Sequence, residues 1–144
     1  MPLFSSVMEV IMKDLVLKTY RITDIQFQNH TIAAGKTRLE TKYTYQVKFG
    51  TNKTCRCEMK VSVKDQENPD SLGVEMTLVG IFEIPEEHDK EALHKATFKE
   101  LYPFARAAVA TVSGATGILP IIIPNVDIEG QDIYRYNPEI FGNK

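Results

Sequence analysis

The chain has 144 residues, 43% of them apolar and 25% charged, and its 17 basic and 19 acidic side chains leave a formal charge of −2. That is one domain's length, with enough chain to bury roughly 70% of the surface its unfolded form exposes, so a core needs neither disulfide staples nor a structural metal. Near-neutral charge excludes a polycation that coats nucleic acid and an acidic disordered chain, while leaving room for a local patch of either sign.

Residues 1–14 carry no early positive charge, and Glu9, Lys13 and Asp14 break their apolar run. They read as an N-terminal extension to a single domain over 15–144, not as a signal peptide. No stretch approaches the ~20 apolar residues of a membrane span. Two cysteines, Cys55 and Cys57, make no disulfide framework, and a reducing, cytoplasmic setting is expected.

A first strand is expected over about 15–28, with an irregular phase: Leu15 and Leu17 are odd, Tyr20 and Ile22 even, Ile25 and Phe27 odd again. A bulge near Lys18–Tyr20 and another near Thr23 restore one buried face; otherwise both faces are partly buried. From 39 to 49 the odd positions Leu39, Tyr43, Tyr45, Val47 and Phe49 are apolar and the even ones are not. After the turn residues Gly50-Thr51-Asn52-Lys53 the alternation resumes with Cys55, Cys57, Met59, Val61 and Val63 on one side. Period two on both sides of a short turn predicts an antiparallel hairpin with one wet face.

A polar loop over 65–71 leads to a further strand over 72–84. Its odd face begins with Gly73, Glu75 and Thr77 and turns apolar at Val79 and Ile81. That end is expected to be covered on both faces, by the chain itself or by a second subunit. After Pro85 the period changes. Acidic residues from Glu86 to Glu91 suit a helix N-terminus, and residues 87–100 read as a helix. Pro103 is expected to open a second helix over 103–113, Ala-rich so that another element can approach closely, and ended by Gly114 and Gly117. Pro120 and Pro124 exclude helix and central strand from the apolar stretch 118–128, and the tail 131–144 fits a short helix or a docked coil. Strands first and helices after predict an α+β fold: a four-stranded antiparallel sheet with helices packed on one face.

Chemistry is sparse. Gly35-Lys36-Thr37 is a fragment of a phosphate loop without its preceding glycine, and a strand, not a helix, follows it. Cys55 and Cys57 share one strand face with no histidine at ligand spacing, and read as core residues. No nucleophile, metal or cofactor motif stands out, so neither catalysis nor a cofactor is expected. The guanidinium of Arg106 is expected to satisfy carbonyls or a carboxylate at the break between helices. The stretch 118–124 exposes much apolar area unless it packs down as a lid over the sheet; the alternative is a peptide or subunit contact.

Leu101-Tyr102-Pro103-Phe104-Ala105-Arg106 and Gly117-Ile118-Leu119-Pro120, running on to Asn125-Val126-Asp127, resemble the SecB family of export chaperones. Thr23-Asp24-Ile25-Gln26-Phe27 and Gly80-Ile81-Phe82 are similar to the ends of that family's first and fourth strands. The resemblance implies a cofactor-free homo-oligomer, a dimer or tetramer, that holds unfolded preproteins in apolar grooves and passes them to the ATPase SecA, with no nucleic acid and no membrane insertion. It puts Ile118, Leu119, Ile121 and Ile123 at the client groove, and Asp24 and Glu75 at the SecA contact. Gln28 stands where the family has another acid, and the even positions of the hairpin sum to +4, so the SecA contact is expected to be weaker here. Divergent relatives serve single partners such as antitoxins. A dedicated interaction module and a small-molecule binder are the competing functions.

Overall fold

The computed structural model describes residues 15–30 and 38–126. The N-terminal extension over 1–14, the Gly35-Lys36-Thr37 fragment and the tail 131–144 lie outside the described residues. Within them the chain forms strands β1 (Val16–Asn29), β2 (Leu39–Phe49), β3 (Thr54–Asp65) and β4 (Leu72–Glu83), then helix α1 (Lys90–Ala115). The strands make one four-stranded sheet in the order β1-β4-β3-β2, every pair antiparallel.

The hairpin follows from its alternation. β2 and β3 pair without a break from Leu39↔Asp65 to Phe49↔Cys55, across a turn in which Asn52 and Lys53 both adopt φ near 57°. The β3–β4 loop is set by Asp65, whose Oδ1 accepts from the amides of Glu67 (3.0 Å) and Asn68 (3.3 Å). β1 has the two irregularities that its phase demands. Its register against β4 shifts between Leu17 and Thr19 and again between Ile22 and Asp24. As a result Leu17, Tyr20, Ile22, Ile25 and Phe27 stand opposite Phe82, Gly80, Leu78, Met76 and Val74, all on one face.

That face meets α1. The two helices expected on either side of Pro103 are one, and among the described residues a single helix covers the sheet. Its buried ridge runs Leu93, Thr97, Leu101, Ala105, Val109, Ser113, every fourth residue, through the proline without slipping phase. Packing on both sides of Pro103 outweighs the roughly 3 kcal/mol that an interior proline costs. Pro103 also lies on the exposed side, where water can take the place of the N–H that it lacks. The helix starts at Lys90, capped by Asp89, whose carboxylate accepts from the Ala92 amide (3.2 Å). Leu101 rests on Gly80, where a Cβ would come within 2.9 Å of a Leu101 methyl, so this glycine sets how closely α1 approaches the sheet.

The core joins Val47, Cys57, Met59, Leu78 and Phe82 from the sheet to Leu93, Ala96, Leu101 and Val109 from the helix, each fully enclosed. Cys55 and Cys57 belong to it, with their sulfurs 3.9 Å apart. On the open face Val79, flanked across the ladders by Arg21 and Glu58, is only 8% exposed within the single chain, so a second subunit is not needed to cover it.

One polar core residue carries a pH dependence. His94 is 1% exposed, edge-on to the Tyr45 ring, and burial pushes its pKa down from 6.5 to about 4. Between those values the unfolded chain takes up a proton that the folded chain refuses, so stability falls as pH drops through this window, by about 3 kcal/mol at pH 4. Urea midpoints measured from pH 7 to pH 4 should fall steeply in the native protein and less steeply in His94→Gln.

Candidate functional site

The C-terminal half of α1 presents Ala105, Ala108 and Val109, side chains short enough for backbone to lie against them. Gly117, at φ +99°, turns the chain there, a conformation that side chains rarely adopt. Residues 118–126 then run back along the helix without regular structure. This strap cannot make a strand's ladder because Pro120 and Pro124 have no N–H, so its backbone groups need other partners.

α1 supplies them from one side. Ser113 Oγ accepts from the Ile121 amide (2.8 Å) and donates to the Val109 carbonyl (2.7 Å). Arg106 Nε donates to the Ile123 carbonyl (2.8 Å). The Tyr102 hydroxyl donates to the Pro124 carbonyl and takes the Tyr43 hydroxyl at 2.8 Å, which ties β2, α1 and strap together. Burial raises the pKa of both tyrosines, so both stay protonated and able to donate. Arg106 therefore does satisfy a carbonyl, but one belonging to the strap and not to a break between helices.

The strap's apolar side chains divide. Ile121 and Ile123 are 8% and 1% exposed and join the core, and Ile118 packs half-buried against it. Leu119 is 89% exposed and Ile122 65%. Of the four residues expected at a client groove, only Leu119 stands free in solvent, while Ile121 and Ile123 serve as the strap's anchors. Ile122 was not among the four; in a run of like side chains nothing marks which ones turn outward. A second apolar row lies where β1 outruns the helix. Tyr20, Ile22, Ile25 and Phe104 are each between 37% and 42% exposed, with the Tyr20 and Phe104 rings stacked at 4.4 Å.

Asp24 and Glu75 come together on the open face of the sheet, two rungs apart on the β1–β4 ladder. Both line a shallow hollow that Lys42 and Lys60 share from the hairpin side. Glu75 is engaged by Lys64, whose ammonium sits 2.7 Å from the carboxylate and whose pKa is raised by that bond. Among the described residues no three His, Cys, Asp or Glu side chains cluster as metal ligands, and no helix is long and apolar enough to cross a membrane.

The family described as preprotein translocase subunit SecB matches residues 4–138. Among solved structures, the chain is similar to the Mycobacterium tuberculosis Rv1957 SecB-like chaperone in complex with a ChAD peptide from the Rv1956 HigA1 antitoxin. The TM-score is 0.65 at 16% identity, over 85% of this chain and 95% of that one. No curated relative matches in sequence.

Proposed function

Because the chain belongs to the SecB family, we propose that it is a holding chaperone that captures unfolded or partly folded polypeptides on the outward side of the strap. The observation that carries this reading is the pairing of exposed Leu119 and Ile122 with a strap held down on its inner side. Apolar side chains fixed in water cost free energy that burial against a client's apolar segments recovers, at roughly 25 cal/mol per Å² before ordering costs. No catalytic step, cofactor or membrane insertion enters the proposal, and the setting is the cytoplasm.

The row of Tyr20, Ile22, Ile25 and Phe104 is apportioned to self-association. It is continuous across β1 and α1 through the stacked Tyr20 and Phe104 rings, as suits a second copy in a dimer or tetramer. Ile118 flanks the capture surface, with Ile121 and Ile123 supporting it from below.

A second reading is a dedicated partner chaperone, and the solved relative bound to an antitoxin peptide favours it. Suppression of aggregation separates the two. A general holdase slows the aggregation of several unrelated unfolded proteins. A dedicated one fails with these and retains a single protein on purification from its host.

Hand-over to SecA through Asp24 and Glu75 is proposed to be weak. The hairpin side of the open face carries Lys42, Lys48 and Lys60, none in an ion pair with a described residue, and Glu75 already holds Lys64. A basic SecA tail peptide titrated at low salt, where screening is least, should bind poorly. Tight binding that disappears in Asp24→Arg with Glu75→Arg would restore the ordinary export role.

A further inference from the structure

We infer that Arg106, with Tyr102 and Ser113, is a positioning residue for polypeptide capture: this side of α1 fixes the register of the strap so that Leu119 and Ile122 face outward. The inference rests on the strap being the capture surface. It adds residues that do not touch the captured chain.

An extended segment turns its side chains alternately to opposite sides, so a slip by one residue exchanges them. A slip of the strap by one position would carry Ile122 inward and turn Ile121 and Ile123 out. Hydrophobicity alone does not prevent this, because the three are the same residue. What distinguishes the registers is where the polar partners fall. Ser113 takes the amide of Ile121, Arg106 the carbonyl of Ile123, and Tyr102 the carbonyl of Pro124. Pro120 has no amide, so a strap shifted to bring Pro120 into the place of Ile121 leaves Ser113 Oγ without its donor, and any shift breaks the pairing of Arg106 with Ile123 and of Tyr102 with Pro124. The three helix residues lie four and seven positions apart, on one side of α1, and follow the strap antiparallel to it.

Arg106 is the central point of the three. Its guanidinium pairs with no carboxylate among the described residues, so capture of a carbonyl is the interaction that it makes there. A charged donor also makes the strongest of the three bonds. Tyr102 depends in turn on Tyr43, so the position of the strap is referred to β2 as well as to the helix.

The test uses the whole chain with Arg106→Ala, Arg106→Lys and Tyr102→Phe. Two quantities are measured: amide exchange at residues 121–123 and affinity for reduced, alkylated α-lactalbumin, a chain that cannot refold. Arg106→Ala should speed exchange at 121–123 and weaken capture, each by about tenfold, while β3 and β4 exchange as before. Tyr102→Phe keeps the ring and should produce a smaller change of the same kind. Arg106→Lys, which keeps a cationic donor, should recover part of the affinity. Faster exchange at 121–123 with unchanged or tighter capture overturns the inference, and so does unchanged exchange in Arg106→Ala. Faster exchange throughout β3 and β4 also overturns it, by reducing Arg106 to a general stabiliser. Leu119→Asp with Ile122→Asp separates this inference from its premise. If that variant captures normally, the capture-surface reading itself fails. If it loses capture while Arg106→Ala does not, only the positioning role fails.

Discussion

Ile123→Asp should destabilise the whole domain, not merely remove a contact for a bound chain. The side chain is 1% exposed, in the core beneath the strap. Replacing it loses the roughly 1.5–3 kcal/mol of a buried isoleucine and puts a carboxylate among buried apolar side chains. Even if the carboxyl protonates or the strap lifts to free it, the loss is on the order of 4 kcal/mol, a large part of a domain's stability. For a chain of this length that lowers the melting temperature by about 10 °C or more. Thermal unfolding followed by circular dichroism checks it, and a variant that melts like the parent would show that Ile123 is not part of the core.

Leu119→Asp combined with Ile122→Asp should do the reverse. Both side chains already stand in water, at 89% and 65% exposure, so the fold loses little and melting should shift by no more than a few degrees. Capture loses two apolar contacts and acquires two charges that a client's apolar segment must desolvate. At about 1.5 kcal/mol or more for each side chain, reduced by ordering costs, affinity for an unfolded client should fall at least tenfold. Fluorescence anisotropy of a labelled unfolded chain measures it. The two variants lie next to one another in sequence and should fail in opposite assays, because one points down and the other out.

The sheet was legible in the sequence because its faces differ chemically. Along 39–49 and 54–64 apolar and polar residues alternate, and the structure pairs them from Leu39↔Asp65 onward without a shift. Even the phase errors of 15–28 were informative, since each corresponds to a register shift. The helix was misread for a local reason. Pro103 is a strong stop signal, yet the spacing of four from Leu93 to Ser113 crosses it intact, and that longer pattern prevailed. Residues 118–124 could be recognised as irregular and apolar, but not divided into inner and outer side chains. Leu, Ile, Ile and Ile offer no contrast, and Leu119 and Ile121, which share a parity, face opposite ways across Pro120. The polar residues that settle the matter, Tyr102, Arg106 and Ser113, lie on another element. Their pairing with the strap is a tertiary fact with no trace in local pattern.

The two edges of the sheet also differ in whether they can be extended. An edge strand carries a row of unused amides and carbonyls, onto which any other extended chain can crystallise. In the proposed holding role the protein would meet such strands continually, and an unguarded border would seed fibrous growth. β1 is crimped twice by its bulges, which spoils the straight template that a growing stack requires. β2 is straight over all its rungs and relies on charge instead, with the exposed Lys42 and Lys48 beside the border. Irregularity guards one border and electrostatics the other. The second guard weakens as salt rises, so any tendency to polymerise should begin at β2.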